Sequence, residues 1–312
     1  MTAYRQDSLD RKPRPGAPGP TDERRPRENR TLRLHDGRDL GYAEYGAAAG
    51  TPVFVFHGSP GSRLQVRAAH GPALARGIRI IAPDRPGLGM STRKRGREIA
   101  DWPDDVRELA DALGIARFAV IGISGGGPYA AACAWALGER ITRAGIISGV
   151  APADGPGLGG GLRRPGRAVF NLVLHKPWLL RCAMAVGRIG ARRFPERLFG
   201  QVLALSPPVD LPILHRPEVA ACLTAGLCEA FRSGGQGAAD ELLLLTRPWT
   251  FRLEEIRVPV RLWHGEADGV VPVAMGRHLA QVIPHCRAEF IPGAGHYLVF
   301  DRIGPLLEAM VE

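Results

Sequence analysis

Short apolar runs recur along the chain, and stretches with helical spacing separate them. TLRLHDGRDLGYAEYG (31–46) alternates over two short stretches on either side of Asp36-Gly37, which predicts two strands joined by a tight turn. PVFVFHG (52–58) is a continuous apolar run closed by glycine, the pattern of a strand covered on both faces. RIIAPD (79–84), FAVIGIS (118–124), AGIISGV (144–150), RLWHGE (261–266) and AEFIPG (288–293) repeat that form. Between them, 63–76, 99–113, 273–283 and 303–311 have helical spacing, and GGGPYAAACAWAL reads as a helix of small residues. Strand alternating with helix implies right-handed crossovers and an α/β fold. Its central sheet should be mostly parallel, with helices on both faces.

Residues 151–255 break the rhythm. They open on the loop APADGPGLGGG and continue as helical pieces cut by Pro177, Pro195, Pro207, Pro208, Pro212 and Pro217. The stretch reads as a helical cap inserted between two strands of the sheet. Residues 1–30 are polar, rich in Pro and Arg and without period, so a disordered basic tail is expected there. The expected layout is therefore a tail (1–30), a first part of the core (31–150), the insertion (151–255) and a second part of the core (256–312).

Composition narrows the possibilities. A chain of 312 residues, 45% of them hydrophobic, can bury a core without disulfides or metals. No apolar run is long enough to span a membrane, and the N-terminal stretch has no apolar segment of the secretory type. Cys133, Cys182, Cys222, Cys228 and Cys286 are scattered without a CxxC, as reduced thiols of a cytoplasmic protein would be. The net charge is +10, yet aromatics make up only 6%, which argues against a nucleic-acid surface. From Gly161 to Gly200 nine basic residues face Glu196 alone, with Phe170, Trp178, Leu180 and Met184 among them. Amphipathic cap helices, apolar toward the cleft and arginine toward water, account for this pattern. Attraction of an anionic substrate or contact with a membrane surface are the sharper alternatives.

Chemistry concentrates at Gly122-Ile123-Ser124-Gly125-Gly126, a G-x-S-x-G between a strand and a helix. A sharp turn there lifts the Ser124 hydroxyl above the sheet, and its neighbours two residues away come too close for side chains. A serine needs a base, and the base needs an acid to orient it. His296, in GAGH after the last strand, is the candidate base. Asp268, in HGEADGVVP after the preceding strand, is the candidate acid. Asp154, after the 144–150 strand, is the rival acid. A developing oxyanion needs two donors. The N–H of Gly125 and the N–H of Ser59 in HGSPGS are the candidates, with the Ser59 hydroxyl as a further donor. His57 reads as a brace for that loop. Asp84 and Ser91, in DRPGLGMS, read as loop-shaping residues. His264, Glu266 and Asp268 alternate as strand residues would, but no further ligand cluster supports a metal.

HGSPGS (57–62), DRPGLGMS (84–91), GISGG (122–126), HGEADGVVP (264–272) and GAGH (293–296) occur in order, and with them the chain resembles the α/β-hydrolase superfamily. HGSPG is similar to the HGGPG of its proline iminopeptidases, whose DQRG is here Asp84-Arg85-Pro86-Gly87. The resemblance implies an α/β-hydrolase fold with a cap, an order Ser124–Asp268–His296, an acyl-enzyme, no cofactor and a small to medium hydrophobic acyl substrate. A non-catalytic ligand-binding module on the same fold, and a cofactor-free perhydrolase or haloperoxidase, stand as alternatives.

Overall fold

The strands alternate their side chains between two apolar layers, and this sets how the sheet is covered. The computed structural model describes residues 25–152 and 175–312. Among them, eight strands form one sheet: β1 (Arg27–Arg33), β2 (Asp39–Gly46), β3 (Thr51–Phe56), β4 (Ile78–Pro83), β5 (Phe118–Ile123), β6 (Ile141–Ile147), β7 (Val260–Gly265) and β8 (Cys286–Ile291). Their order is β1-β2-β4-β3-β5-β6-β7-β8. Only the β1–β2 and β2–β4 pairs are antiparallel; the others run parallel.

Phe54, Phe56 and Val120 point into one layer, where Val106 and Leu109 of α2 (Trp102–Ala112) and the alanines of α3 (Gly127–Ala136) pack. Val53, Val55, Ala119 and Ile121 point into the other. That layer is closed by Ala73 of α1 (His70–Leu74) and by the last helix of the core (Val299–Val311) through Leu306, Leu307 and Met310. Side chains of period two thus feed both layers, and the expected α/β-hydrolase fold with a mostly parallel sheet is observed.

Two boundaries differ from expectation. β1 begins at Arg27, so order starts inside the stretch expected to be a tail through residue 30. Arg27 and Arg30 face Glu44 and Tyr42 across the ladder, and Glu28 accepts from the Arg67 guanidinium at 2.6 Å. An edge strand held by backbone bonds and ion pairs carries no apolar signal. Residues 1–24 lie outside the described residues. The 63–76 helix is a 3-10 turn over Arg63–Ala69 followed by the short α1.

Five helices are described between β6 and β7: α4 (Pro177–Arg193), α5 (Pro195–Leu205), α6 (Leu211–Leu214), α7 (Pro217–Ala230) and α8 (Gln236–Leu245). Two more, α9 (Val273–Val282) and α10 (Val299–Val311), follow β7 and β8. The prolines expected to cut the insertion in fact start its helices. Pro177, Pro195 and Pro217 are the first residues of α4, α5 and α7, where the missing N–H has no partner to lose and φ is already helical. The expected split of apolar inward and arginine outward holds in part. Leu180 is buried, but Trp178 (62%), Val186 (67%) and Ile189 (57%) are largely exposed.

The insertion is seated on the core by close approaches. Gly237 of α8 passes so near the Gly87 backbone that any side chain would collide. The Cys222 thiol of α7 donates to the carbonyl of Gln65 at 3.1 Å.

Leu109 is fully buried in α2, away from the strand ends. Leu109→Ala should therefore lower unfolding free energy in urea by about 2–5 kcal/mol. A change under 1 kcal/mol, on the order of an exposed substitution, would contradict this assignment of the core.

Candidate functional site

Ser124 follows β5 directly and has a left-handed backbone, φ +54°. The chain then enters a 3-10 turn and α3. A side chain at Gly122 would strike the backbone of Gly126, and one at Gly126 would strike the carbonyls of Phe56 and His57. The two glycines thus let the turn close and bring the loop after β3 against it. Pro128 falls in the first turn of α3, where it is tolerated.

The loop after β8 brings His296 to this turn. Its Nε2 lies 3.0 Å from Ser124 Oγ, and its Nδ1 lies 2.8 Å from Asp268 Oδ2. The other Asp268 oxygen accepts from the amides of Val270 (2.9 Å) and Val271 (2.8 Å). His264 Nε2 donates to the Val271 carbonyl at 2.9 Å and lies 3.4 Å from Asp268 Oδ2. Burial alone would raise the Asp268 pKa, but His296 and His264 outweigh it and hold the carboxyl well below the usual range. Burial would lower the His296 pKa. The charge and hydrogen bond of Asp268 outweigh that and hold the imidazole above its ordinary value. A chain of this kind can take a proton from a hydroxyl and stabilise the imidazolium that forms.

Asp210, in the turn before α6, is a second buried carboxylate at this loop. Its Oδ1 accepts from the Tyr297 amide at 3.0 Å, and it lies against Gly295 where no side chain fits. The insertion therefore braces the segment that carries His296.

Ser59 and Gly125 also meet: a side chain on Gly125 would run into that of Ser59 and crowd Leu245 at the end of α8. The Ser59 amide donates to no acceptor among the described residues. Its hydroxyl, expected as a further donor toward the site, turns elsewhere. It donates to Glu241 Oε1 at 2.9 Å and accepts from Arg85 Nη2 at 2.8 Å. Of the two donors proposed on Ser59, the amide alone is uncommitted.

Glu241, Arg85, Arg97 and Tyr129 were not singled out from the sequence as site residues. Glu241 and Arg85 are fully buried and pair at 2.7 Å; Arg97 binds the other Glu241 oxygen. Burial would raise the Glu241 pKa, but the two guanidiniums outweigh it and bring it to about 2. The available signal was the pair of acids Asp240-Glu241 in the otherwise apolar run AADELLLL of α8.

The remaining candidates are structural. His57 is buried, donates from Nδ1 to the Gly58 carbonyl at 2.8 Å and is pushed by burial and by Arg85 well below its ordinary pKa. Asp84 accepts from the Arg63 amide and guanidinium, both at 2.7 Å, and Ser91 donates to the Asp84 carbonyl. Glu266 pairs with Arg277 rather than joining His264. Among the described residues no three His, Cys, Asp or Glu side chains are grouped to hold a metal. The rival acid Asp154 lies outside the described residues.

Residues 53–308 match the alpha/beta hydrolase family, and the chain belongs to it. It is similar to a pimeloyl-[acyl-carrier protein] methyl ester esterase of Aromatoleum aromaticum, 30% identical over 74% of this chain and 86% of that one. A bifunctional esterase/perhydrolase of Acinetobacter calcoaceticus is 26% identical over 84% of this chain and 90% of its own. An esterase structure from Rhodococcus sp. ECU1013 superposes with a TM-score of 0.66 at 24% identity, covering 91% of this chain and 98% of that one. No helix of the described residues is long and apolar enough to cross a membrane.

In an NMR titration the His296 midpoint should lie above 6.5. Asp268→Asn keeps the burial and removes the charge, so the midpoint should fall below that value. An unmoved midpoint would show that another group controls the ring.

Proposed function

We propose that this protein is a serine hydrolase that cleaves an ester, thioester or amide of a small to medium hydrophobic acyl group. The observation that carries the reading is the unbroken line Ser124–His296–Asp268, with contacts of 3.0 and 2.8 Å. Ser124 Oγ attacks the acyl carbonyl carbon as its proton passes to His296 Nε2. The resulting oxyanion is received by the amides of Ser59 and Gly125, beside a helix start whose dipole favours negative charge. The intermediate collapses, and the leaving group departs with the proton held on Nε2. Water then attacks the acyl-enzyme, gives a proton to His296 and frees the acid and Ser124. Asp268 stays ionised and fixes the ring.

Among the bond types, an ester is favoured. An aminopeptidase-like enzyme would need a free carboxylate on the insertion to hold a substrate ammonium. Of the acids that reach inward from the described part of the insertion, Glu229, Asp240 and Glu241 are paired with arginines. Asp210 gives one oxygen to the Tyr297 amide, and its other oxygen, without a partner among the described residues, is buried against Gly295. The names of the two curated relatives, both esterases, agree with this.

The wild type should release a stoichiometric burst from p-nitrophenyl acetate and be labelled by a fluorophosphonate. Ser124→Ala and His296→Ala should each lower kcat by about 10⁴ or more, and the two combined by little more than one alone. Asp268→Asn should cost about 10⁴. Only neutral His296 accepts a proton, so kcat/KM should fall as pH drops through the raised imidazole value. Absence of both burst and label would favour a binding module. Peroxide-dependent halogenation in acetate buffer, outpacing ester hydrolysis, would favour a perhydrolase.

A further inference from the structure

One carboxylate of the insertion touches both halves of the pocket that would receive the oxyanion. Glu241 Oε1 accepts from the Ser59 hydroxyl at 2.9 Å and from Arg85 Nε at 2.7 Å. Glu241 Oε2 accepts from the Tyr129 hydroxyl at 2.8 Å and from Arg97. Ser59 lies on the loop after β3. Tyr129 lies in the first turn of α3, the helix that leaves Ser124 and Gly125. Arg85 completes the clamp: its guanidinium donates to the carbonyls of His57 (2.6 Å) and Gly58 (3.0 Å) and to Ser59 Oγ (2.8 Å), three consecutive residues. With the serine hydroxyl held from both sides, rotation of the Ser59 peptide is restricted.

Resting on the serine hydrolase reading, we propose that Glu241 is a positioning residue that sets the spacing of the two oxyanion donors, the amides of Ser59 and Gly125. It does so through the Ser59 hydroxyl on one side and the Tyr129 hydroxyl on the other, with Arg85 fixing the loop between. The Ser59 side chain is an anchor for its own amide and makes no contact with the reacting atoms. Oxyanion donors act in the transition state more than in the ground state. A misplaced donor therefore lowers kcat and leaves KM nearly unchanged.

Ser59→Ala tests this with little risk to folding. Arg85 Nη2 keeps the Gly58 carbonyl, and Glu241 Oε1 keeps Arg85 Nε. Activity is measured with p-nitrophenyl acetate per site titrated by fluorophosphonate, beside the affinity of an aryl trifluoromethyl ketone that forms a tetrahedral adduct. Ser59→Ala should lower kcat about tenfold, a fraction of the roughly 10²–10³ lost with a whole donor. KM should stay within about twofold of wild type, and ketone affinity should weaken by the same factor as kcat. Glu241→Gln, which leaves one acceptor oxygen for four donors, should act in the same direction. In the double variant the two factors should not multiply, because both act through one anchor. A purely structural role would change the fraction of titratable sites and leave kcat per site and ketone affinity alone. Wild-type values of both in Ser59→Ala, or multiplying factors in the double variant, overturn the proposal. If Glu241→Gln fails to fold, Ser59→Ala decides alone. A wild type that the fluorophosphonate does not label fails at the earlier step, the hydrolase reading itself.

Discussion

The left-handed backbone of Ser124 is the constraint on which the rest of the site depends. A residue with a side chain is unfavourable at φ +54°, and surrounding packing must hold it there. That packing is backbone against backbone. Gly122 meets Gly126, and Gly126 meets the ends of β3 at Phe56 and His57. Turn and neighbouring loop are therefore one unit. The strained turn at Ser124 also brings Gly125 against the Ser59 side chain.

Around this unit the protein uses buried carboxylates in two different ways. Asp268 is compensated by two imidazoles and two amides, and its charge is directed at the ring that faces Ser124. Glu241 is compensated by two arginines and a tyrosine, and it also accepts from the Ser59 hydroxyl. A buried ion pair adds little net stability over well-packed apolar residues, though losing one partner is expensive. The network is better understood as a means of fixing geometry than as a source of stability. Asp210 ties the insertion to the His296 loop, as Glu241 ties it to the Ser59 loop.

The readable parts of this arrangement are local. The strand that enters the Ser124 turn, the glycines beside it and the glycine-rich loop ahead of His296 each announce themselves within a few residues. Their order along the chain places them at the same ends of parallel strands. The prolines of the insertion were legible as punctuation, but whether they end or begin a helix depends on which residues follow them. β1 was missed at its start because exposed polar residues form it. Glu241 and Arg85 are not legible as a pair, since 156 residues separate them and an acid beside Asp240 in an apolar helix looks like a solvated residue until its partners are known. The partner of the Ser59 hydroxyl is hidden for the same reason: its acceptor, Glu241, comes from the insertion.

These contacts also decide which parts of the insertion can move. Swinging α7 and α8 away from the core would part Glu241 from Arg85 and Arg97, and Glu229 from Arg63. Stripping a buried charge of its partner costs about 3–5 kcal/mol, a large share of the roughly 5–15 kcal/mol that holds a typical domain folded. It would also part Glu241 from the Ser59 hydroxyl. Helices fastened in this way form a fixed wall against the core. Leu245, at the end of α8, is thereby held against Gly125.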